Sequence, residues 1–575
     1  MNNITGDSYL AKTLSAYDVD FFFHAPLITP GALRQMEAPE HGVKPIAAHA
    51  EKAAAYMADG YARATGKPGI CGSQAIGRSN LLAGLRDAYL ARSPVIALTG
   101  GSLPEFRYRG AYQELEDQSA FPTATKFNAV VEQLDRLPDL LRQAFREATS
   151  GCPAPVHLEI AGMLGNITMG KMDDDDVVEP RFAAVPSFRP AAETHDIESV
   201  LAALRSSERP LIVAGGGLMM SRGQKELQAF AEKHQIPVAT SLNAKAAILD
   251  AHPLSVGVVG LYSKETANRA IHEADLVFYI GSMTAAQVTN NWTAPFPGKR
   301  VVQLDIDPHG IGRNYPNVAS LCGDAKTVLQ QLLDASGPIA PKSGWLARIS
   351  SIKSDWAEKY TQAKASSEQP IRPERALTTL SEYLPDNAVV VCDTGHAGMW
   401  CAQFLELKSD DQIFIRAAGS LGWGFPAALG AKCGHPDRPV FAFTGDGGFY
   451  YHFSELETAV RYGINTITII NNNASLNQET PVWGGAPDGM NFNHHWKFGD
   501  VNFANIAKEM GAFGIRVTEP DQIKDALDQA QASGLPAIVE LMADIEALAP
   551  PPWTPEKVDF LLNAVGEATA QDQRK

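Results

Sequence analysis

Short apolar runs rich in Val and Ile alternate with longer amphipathic stretches along the whole chain. Pro94-Val-Ile-Ala-Leu-Thr-Gly100, Leu211-Ile-Val-Ala214, Leu276-Val-Phe-Tyr-Ile-Gly281, Val301-Val-Gln-Leu-Asp305, Ala388-Val-Val-Val-Cys392, Val440-Phe-Ala-Phe-Thr444 and Ile467-Thr-Ile-Ile-Asn471 are such runs, and they often end at Gly or Asp. Uninterrupted apolar runs of this length mark parallel strands buried on both faces, and the stretches between them then serve as crossover helices. Two kinds of segment break the rhythm. One, from about residue 163 to 190, is acidic and punctuated by Pro; the other is Ala335–Gly344 with Ser366–Pro370. They divide the chain into units near 1–165, 190–335 and 370–545, followed by a tail over 546–575. The expected fold class is α/β, with three doubly wound parallel-sheet domains.

One helical stretch poses a question. In His49–Arg63, HAEKAAAYMADGYAR, the residues Ala54, Ala55, Ala58 and Ala62 recur at helix spacing around Met57, which makes a core face. Glu51 stands at its leading edge. Read locally, an acid in a first turn suits the helix dipole.

The strongest local motif is Thr444-Gly-Asp-Gly-Gly-Phe449, which follows a strand-like run and precedes the helix-like Glu455–Arg461. Glycines at Gly445, Gly447 and Gly448 let backbone N–H groups approach an anion, and a following helix start favours negative charge. Asp446 is a hard oxygen ligand of the kind that holds Mg²⁺ against phosphates. A second strand ends at Asn471-Asn-Asn473, and Asn473 follows Asp446 by 473 − 446 = 27 positions, room for one helix and one strand. Both strand ends can therefore meet at one metal. A GDG turn alone is common; at this spacing from a double Asn it resembles the diphosphate-binding signature of enzymes that use thiamine diphosphate.

Composition narrows the setting. The net charge of −16 argues against a nucleic-acid partner. The six cysteines form no C-x-x-C pair, so neither a zinc ribbon nor a disulfide framework is expected. The start MNNITGDSYL lacks a signal pattern, and no apolar run approaches the ~18 residues of a membrane span. A soluble, cytoplasmic enzyme acting on a small molecule is expected. The run Asp173–Asp176 reads as a solvated linker.

The chain resembles the acetohydroxyacid synthase (acetolactate synthase) branch of the thiamine-diphosphate enzymes over nearly its whole length. The residues that carry the likeness are MADGYARATGKPG, SPVIALTGG, AYQELEDQSAFPTATK, GHAGMWCAQF and GSLGWGFPAALGAK, besides the GDGG motif. The resemblance implies a pyrimidine-binding, a central Rossmann-like and a diphosphate-binding domain. It also implies a homodimer or homotetramer with cofactor held between the first domain of one subunit and the third of another. It answers the question of Glu51, which matches the glutamate at N1′ of the aminopyrimidine. Sharing a proton there favours the imino tautomer, whose nitrogen can deprotonate thiazolium C2. Asp446 and Asn473 match the Mg²⁺ side-chain ligands, with the Ser475 carbonyl completing the set. Leu421 matches the apolar residue that supports the bent cofactor, Gln113 a glutamine near the reacting carbon, and Gly395 and His396 a diphosphate contact. The implied reaction is decarboxylation of a 2-keto acid such as pyruvate and transfer of the acyl carbanion equivalent to a carbonyl acceptor.

The departures concern substrate. The family's F-G-x-P-G-G turn reads Phe22-Phe-His-Ala-Pro-Leu27 here, and its T-S-G-P-G-A-T-N reads Ser73-Gln-Ala-Ile-Gly-Arg-Ser-Asn80. After the double Asn, N-N-x-S-L-G-M-V has become Asn472-Asn-Ala-Ser-Leu-Asn-Gln-Glu479. His24, Gln74, Arg78, His452, Asn477 and Gln478 are thus candidates for an oxygenated substrate. GDGGFYYHFSE also resembles cyclohexane-1,2-dione hydrolase, and QELEDQ benzaldehyde lyase, so a non-decarboxylating 2-hydroxyketone lyase or dione hydrolase is the alternative. Synthases hold a structural FAD in the central domain with an arginine-containing segment. Here Gly281–Thr289 has neither its arginines nor its aspartates, which leaves FAD, ADP or an empty site open.

Overall fold

The computed structural model describes residues 3–174, 178–337, 339–483 and 491–555. The apolar runs form three six-stranded sheets, every strand parallel to its neighbours. Val95–Gly100, Leu276–Ile280 and Ile467–Asn472 are buried at every position, which is why their sequences do not alternate.

The chain divides into two compact units: one of 1–188, 367–398 and 411–548, the other of 189–366, 399–410 and the chain from Ala549. The first unit holds two sheets. One runs Lys44–Ala47, Phe21–His24, Gly69–Ser73, Val95–Gly100, Val156–Ile160, Phe127–Val131. The other runs Ile413–Arg416, Val389–Cys392, Val440–Gly445, Ile467–Asn472, Ala537–Met542, Phe513–Val517. Numbered along the chain, both have the order 2-1-3-4-6-5. The order reverses between the first and third strands, and ligands of open α/β sheets bind in the crevice at such a point. The second unit's sheet, built on Pro210–Ala214, has the order 3-2-1-4-5-6 of a dinucleotide-binding fold.

Within the first unit the helices Glu51–Thr65 and Gly424–Gly434 cross at backbone contact. A Cβ on Gly60 would lie 2.1 Å from Ala427 O, and one on Gly430 would lie 1.8 Å from Met57 O. The Ala-rich face of the first helix is core, as its spacing predicts, and what it meets is a second helix of small residues. A buried polar network lies beside it: Arg63 pairs with Asp59 at 2.5 Å and Asp87 at 2.8 Å, and Trp423 Nε1 donates to Asp59 at 2.8 Å.

The acidic stretch is less of a linker than its sequence predicts. Lys171–Asp173 pairs antiparallel with Asn3–Thr5, and Asp174 forms an ion pair with Lys12. Both partners lie some 160 residues away in sequence, out of reach of a local reading. Asp175 and Asp176 lie outside the described residues, as does the tail from 556. In the second unit Trp553 packs on the helix Glu265–Glu273, its carbonyl accepting from Asn268 and its ring meeting His272. Among the described residues no helix is long and apolar enough to cross a membrane.

Candidate active site

Two groups of candidate residues assemble at the switch points of the first unit's sheets. In the third domain, Val440–Gly445 delivers Gly445 and Asp446 to the sheet edge, and Ile467–Asn472 delivers Asn473. The helix that follows the glycine turn is the short Asp446–Phe449, and the helix expected over Glu455–Arg461 comes after it as Glu455–Tyr462. Ser475 N–H donates to Asp446 Oδ2 at 2.9 Å, and Ser475 Oγ donates to Asn473 Oδ1 at 2.9 Å. The three residues proposed from spacing and resemblance therefore meet.

Asp446 is 2 % exposed, and burial pushes its carboxyl up to about 7 although the backbone N–H groups of Gly447, Ser475 and Asn473 oppose this. A buried carboxylate so placed favours a positive charge beside it. A Cβ on Gly445 would meet nothing within 4 Å, so space lies open next to Asp446. Among the described residues no group of three His, Cys, Asp or Glu is placed to hold a metal. A cation here would thus rest on one carboxylate and neutral oxygens, the pattern of Mg²⁺ that bridges to phosphates. The residues fit a metal–diphosphate pair.

Gly395 lies across the switch point after Val389–Cys392, with φ +69, a backbone state that glycine adopts without strain. A Cβ there would come within 3.0 Å of Gln478 Oε1, which draws Gln478 to the same spot. Burial pushes the His396 imidazole down to about 4, so it is neutral near pH 7. Leu421 is half-buried in a loop held on both sides. Asp393 accepts the N–H of Gly422 and Gly424 at 3.2 Å and the Thr444 hydroxyl at 3.1 Å. Asp87 accepts the N–H of Ala418, Gly419 and Ser420. Neither aspartate is singled out by sequence reasoning. The signal for Asp393 is its place just past a buried strand; for Asp87 it is a charge at a core position of a helix.

In the first domain, Glu51 opens its helix and accepts from Asn80 Nδ2 at 3.3 Å, and a Cβ on Gly77 would meet its Oε1 at 2.4 Å. Gln113, at φ +66, accepts the Ile76 N–H at 3.2 Å. Glu51, Gln113 and the Gln74–Gly77 turn thus share one edge. The helix start is fixed from the third domain, since Glu455 accepts the N–H of His49 and Ala50 at 3.1 Å.

The substrate candidates scatter in role. Arg78 is buried, pairs with Glu159 at 2.8 Å and donates to Leu115 O. Asn477 donates to Ala547 O and accepts from Thr480, ties that fix its loop. His24 lies with Nδ1 3.2 Å from Pro26 O. His452 is buried edge-on to Tyr56, its Nε2 without a hydrogen-bond partner among the described residues. Gln74 is half-buried and Gln478 exposed. In the second unit, Gly215 and Gly217 are needed for close approach: a Cβ on either would lie within 3.0 Å of Gly281. That turn therefore serves helix–strand packing.

Three family models match in order along the chain. The N-terminal TPP binding domain of thiamine pyrophosphate enzymes matches residues 4–121, the central domain 197–332, and the C-terminal TPP binding domain 393–541. The chain belongs to the thiamine pyrophosphate enzymes, catalysts of C–C bond chemistry that use thiamine diphosphate. Among its relatives, a probable acetolactate synthase large subunit of Methanocaldococcus jannaschii is 34 % identical over 506 residues, 86 % of this chain and 84 % of the relative. The acetolactate synthase large subunit of Haemophilus influenzae is 28 % identical over 544 residues, 92 % of each chain. That of Parasynechococcus marenigrum is 30 % identical over 548 residues, 94 % of this chain and 87 % of the relative.

Proposed function

We propose that the chain is a thiamine-diphosphate- and Mg²⁺-dependent carboligase of the acetolactate synthase type. It decarboxylates a 2-keto acid such as pyruvate and transfers the acyl carbanion equivalent to a carbonyl acceptor. The observation that carries this reading is the meeting of buried Asp446 with Asn473 and Ser475 at an open glycine turn, in a chain that aligns over 86 % of its length with a probable acetolactate synthase large subunit. In this reading residues 1–165 hold the pyrimidine, 370–545 the diphosphate and 190–335 form the middle domain, with 546–575 as a tail.

Asp446 Oδ, Asn473 Oδ1 and the Ser475 carbonyl would hold Mg²⁺, and Gly395, His396 and Gly445–Gly448 would line the diphosphate. Thiamine diphosphate, when bound, supplies the stabilised carbanion at the carbonyl carbon. Glu51 holds a proton at the aminopyrimidine nitrogen. Leu421 would support the bent cofactor, and Gln113 would lie near the reacting carbon. Gln74, Gln478 and His452 are the substrate-side polar groups; Arg78, Asn477 and His24 act by fixing the wall. No step is assigned to a flavin.

The enzyme works as a cytoplasmic homodimer or homotetramer with active sites between subunits. Large exposed residues beside both half-sites support this: Tyr112, 81 % exposed, adjoins Gln113, and Tyr451, 56 % exposed, adjoins His452.

The test is CO₂ release from a panel of 2-keto acids with thiamine diphosphate and Mg²⁺, wild type against Glu51→Gln. Release that falls by about 10²–10⁴-fold in the variant is the expected result. No release from any acid, with the cofactor demonstrably bound, overturns the decarboxylase reading and turns the search to 2-hydroxyketones and cyclic diones.

A further inference from the structure

The second unit contains a cavity of about 620 Å³, the size of a small-molecule site. The helix Ser343–Lys364 forms one wall and the region around the strand Ser255–Val258 another. Leu254, Val256, Leu346 and Ile349 give it apolar surface. Lys264, Lys353, Lys364, Asp250 and Glu406 bring charge, three cations against two anions.

All but one of these charges have partners in the protein. Asp250 accepts from Lys245 Nζ at 2.9 Å and from the Leu407 N–H at 3.0 Å. Lys353 donates to the carbonyls of His252 and Pro253 at 3.0 and 3.1 Å. Lys364 pairs with Glu406 at 3.3 Å. Lys264 differs. Its Nζ stands 3.9 Å above the Trp356 ring, and among the described residues no hydrogen-bond acceptor meets it. A ring face attracts a cation but leaves the three N–H donors of an ammonium without an acceptor. Burial accordingly pushes this amine down to about 8, with Asp250 and Glu406 opposing and Lys245 and Lys364 adding to the effect. What the cavity lacks is one negative charge at Lys264 Nζ.

We propose that this cavity binds a small organic monocarboxylate, its carboxylate on Lys264 Nζ and its apolar body against Leu254, Val256, Leu346 and Ile349. Lys264, the one lining charge that meets no hydrogen-bond acceptor among the described residues, sets the single charge; the aliphatic wall sets the apolar body. The cavity shares no residue with the thiamine diphosphate site, so the proposal stands apart from the reading of that site.

The probe is phenylacetate, with the uncharged phenylacetamide as its control, on the full-length holoenzyme. The acetylation rate of Lys264 by acetic anhydride is followed by mass spectrometry of its peptide. At ten times its Kd, phenylacetate should slow this labelling about tenfold, and phenylacetamide should not. By calorimetry Lys264→Met should abolish phenylacetate binding at this site, while Glu51→Gln should leave the protection of Lys264 intact. Equal labelling with and without phenylacetate, equal protection by the amide, or undiminished binding in Lys264→Met would each overturn the proposal. The labelling experiment needs only wild-type protein, so it decides the matter even if the variant fails to fold.

Discussion

Asp87 accepts N–H groups from Ala418 at 2.8 Å, Gly419 at 3.1 Å and Ser420 at 2.9 Å, and also faces Arg63, so one carboxylate ties a first-domain helix to the loop that carries Leu421. Asp87→Asn keeps the shape but turns an amide N–H₂ toward backbone donors or Arg63, and it removes one of the two carboxylates paired with Arg63. Breaking a buried pair in this way costs about 3 kcal/mol, a fall of about 4 °C in Tm for a unit of this size. Scanning calorimetry checks this, and an unchanged Tm would show that Asp87 does not anchor the loop. Lys264 offers a test by pH. Only its ammonium form attracts a carboxylate, and in the free protein it loses its proton at about 8. Asp250, Glu406, Lys245, Lys353 and Lys364 are the charged groups around it, and burial lowers Lys353 as well. Phenylacetate should therefore bind with steady affinity below pH 8 and about tenfold more weakly for each unit above it, as titration calorimetry at several pH values would show. Asp446 and Asn473 stand out in the sequence by motif and spacing, and Glu51 through the family resemblance of its helix. Asp87 and Lys264 do not, because their meaning lies in what the fold places around a single charge.

The crossing of Glu51–Thr65 with Gly424–Gly434 is the element contact on which the first unit turns. Gly60→Ala or Gly430→Ala would drive a methyl group into backbone carbonyls, which cannot move without shifting a whole helix. Each should lower Tm by several degrees, although alanine is the better helix former by about 1 kcal/mol. Gly344→Ala, in a helix where a Cβ meets nothing within 4 Å, is the control and should be neutral or stabilising. Equal Tm values for all three variants would deny the close crossing. The sequence shows the first helix's apolar face through its Ala spacing, yet it does not show which helix covers that face. The strands read well because buried parallel strands have an apolar signature of their own. The pair Asn3–Thr5 and Lys171–Asp173 does not read at all, being polar, three residues long and distant in sequence.

At the scale of the whole molecule, the question is whether one chain makes an active site alone. Glu51 accepts from Asn80, and Asp446 from Ser475; among the described residues no hydrogen bond joins the two carboxylates. The aromatic residues exposed beside each half-site are surface that a second copy would cover. Co-expression of Glu51→Gln with Asp446→Asn tests this by symmetry. On the proposed reading each variant alone should be inactive, Glu51→Gln for want of an acid at the pyrimidine and Asp446→Asn for want of a carboxylate at the metal. If every site takes its first domain from one subunit and its third from another, a random mixture contains sites with neither defect. Such a site needs its first domain from an Asp446→Asn chain and its third from a Glu51→Gln chain. Equal pools give these in about a quarter of all sites, in a dimer or a tetramer alike. Co-expressed enzyme should then recover about a quarter of wild-type CO₂ release, and it should do so only when the two variants assemble together. If each site lies within one chain, every site carries one defect, and the mixture stays as inactive as its parents.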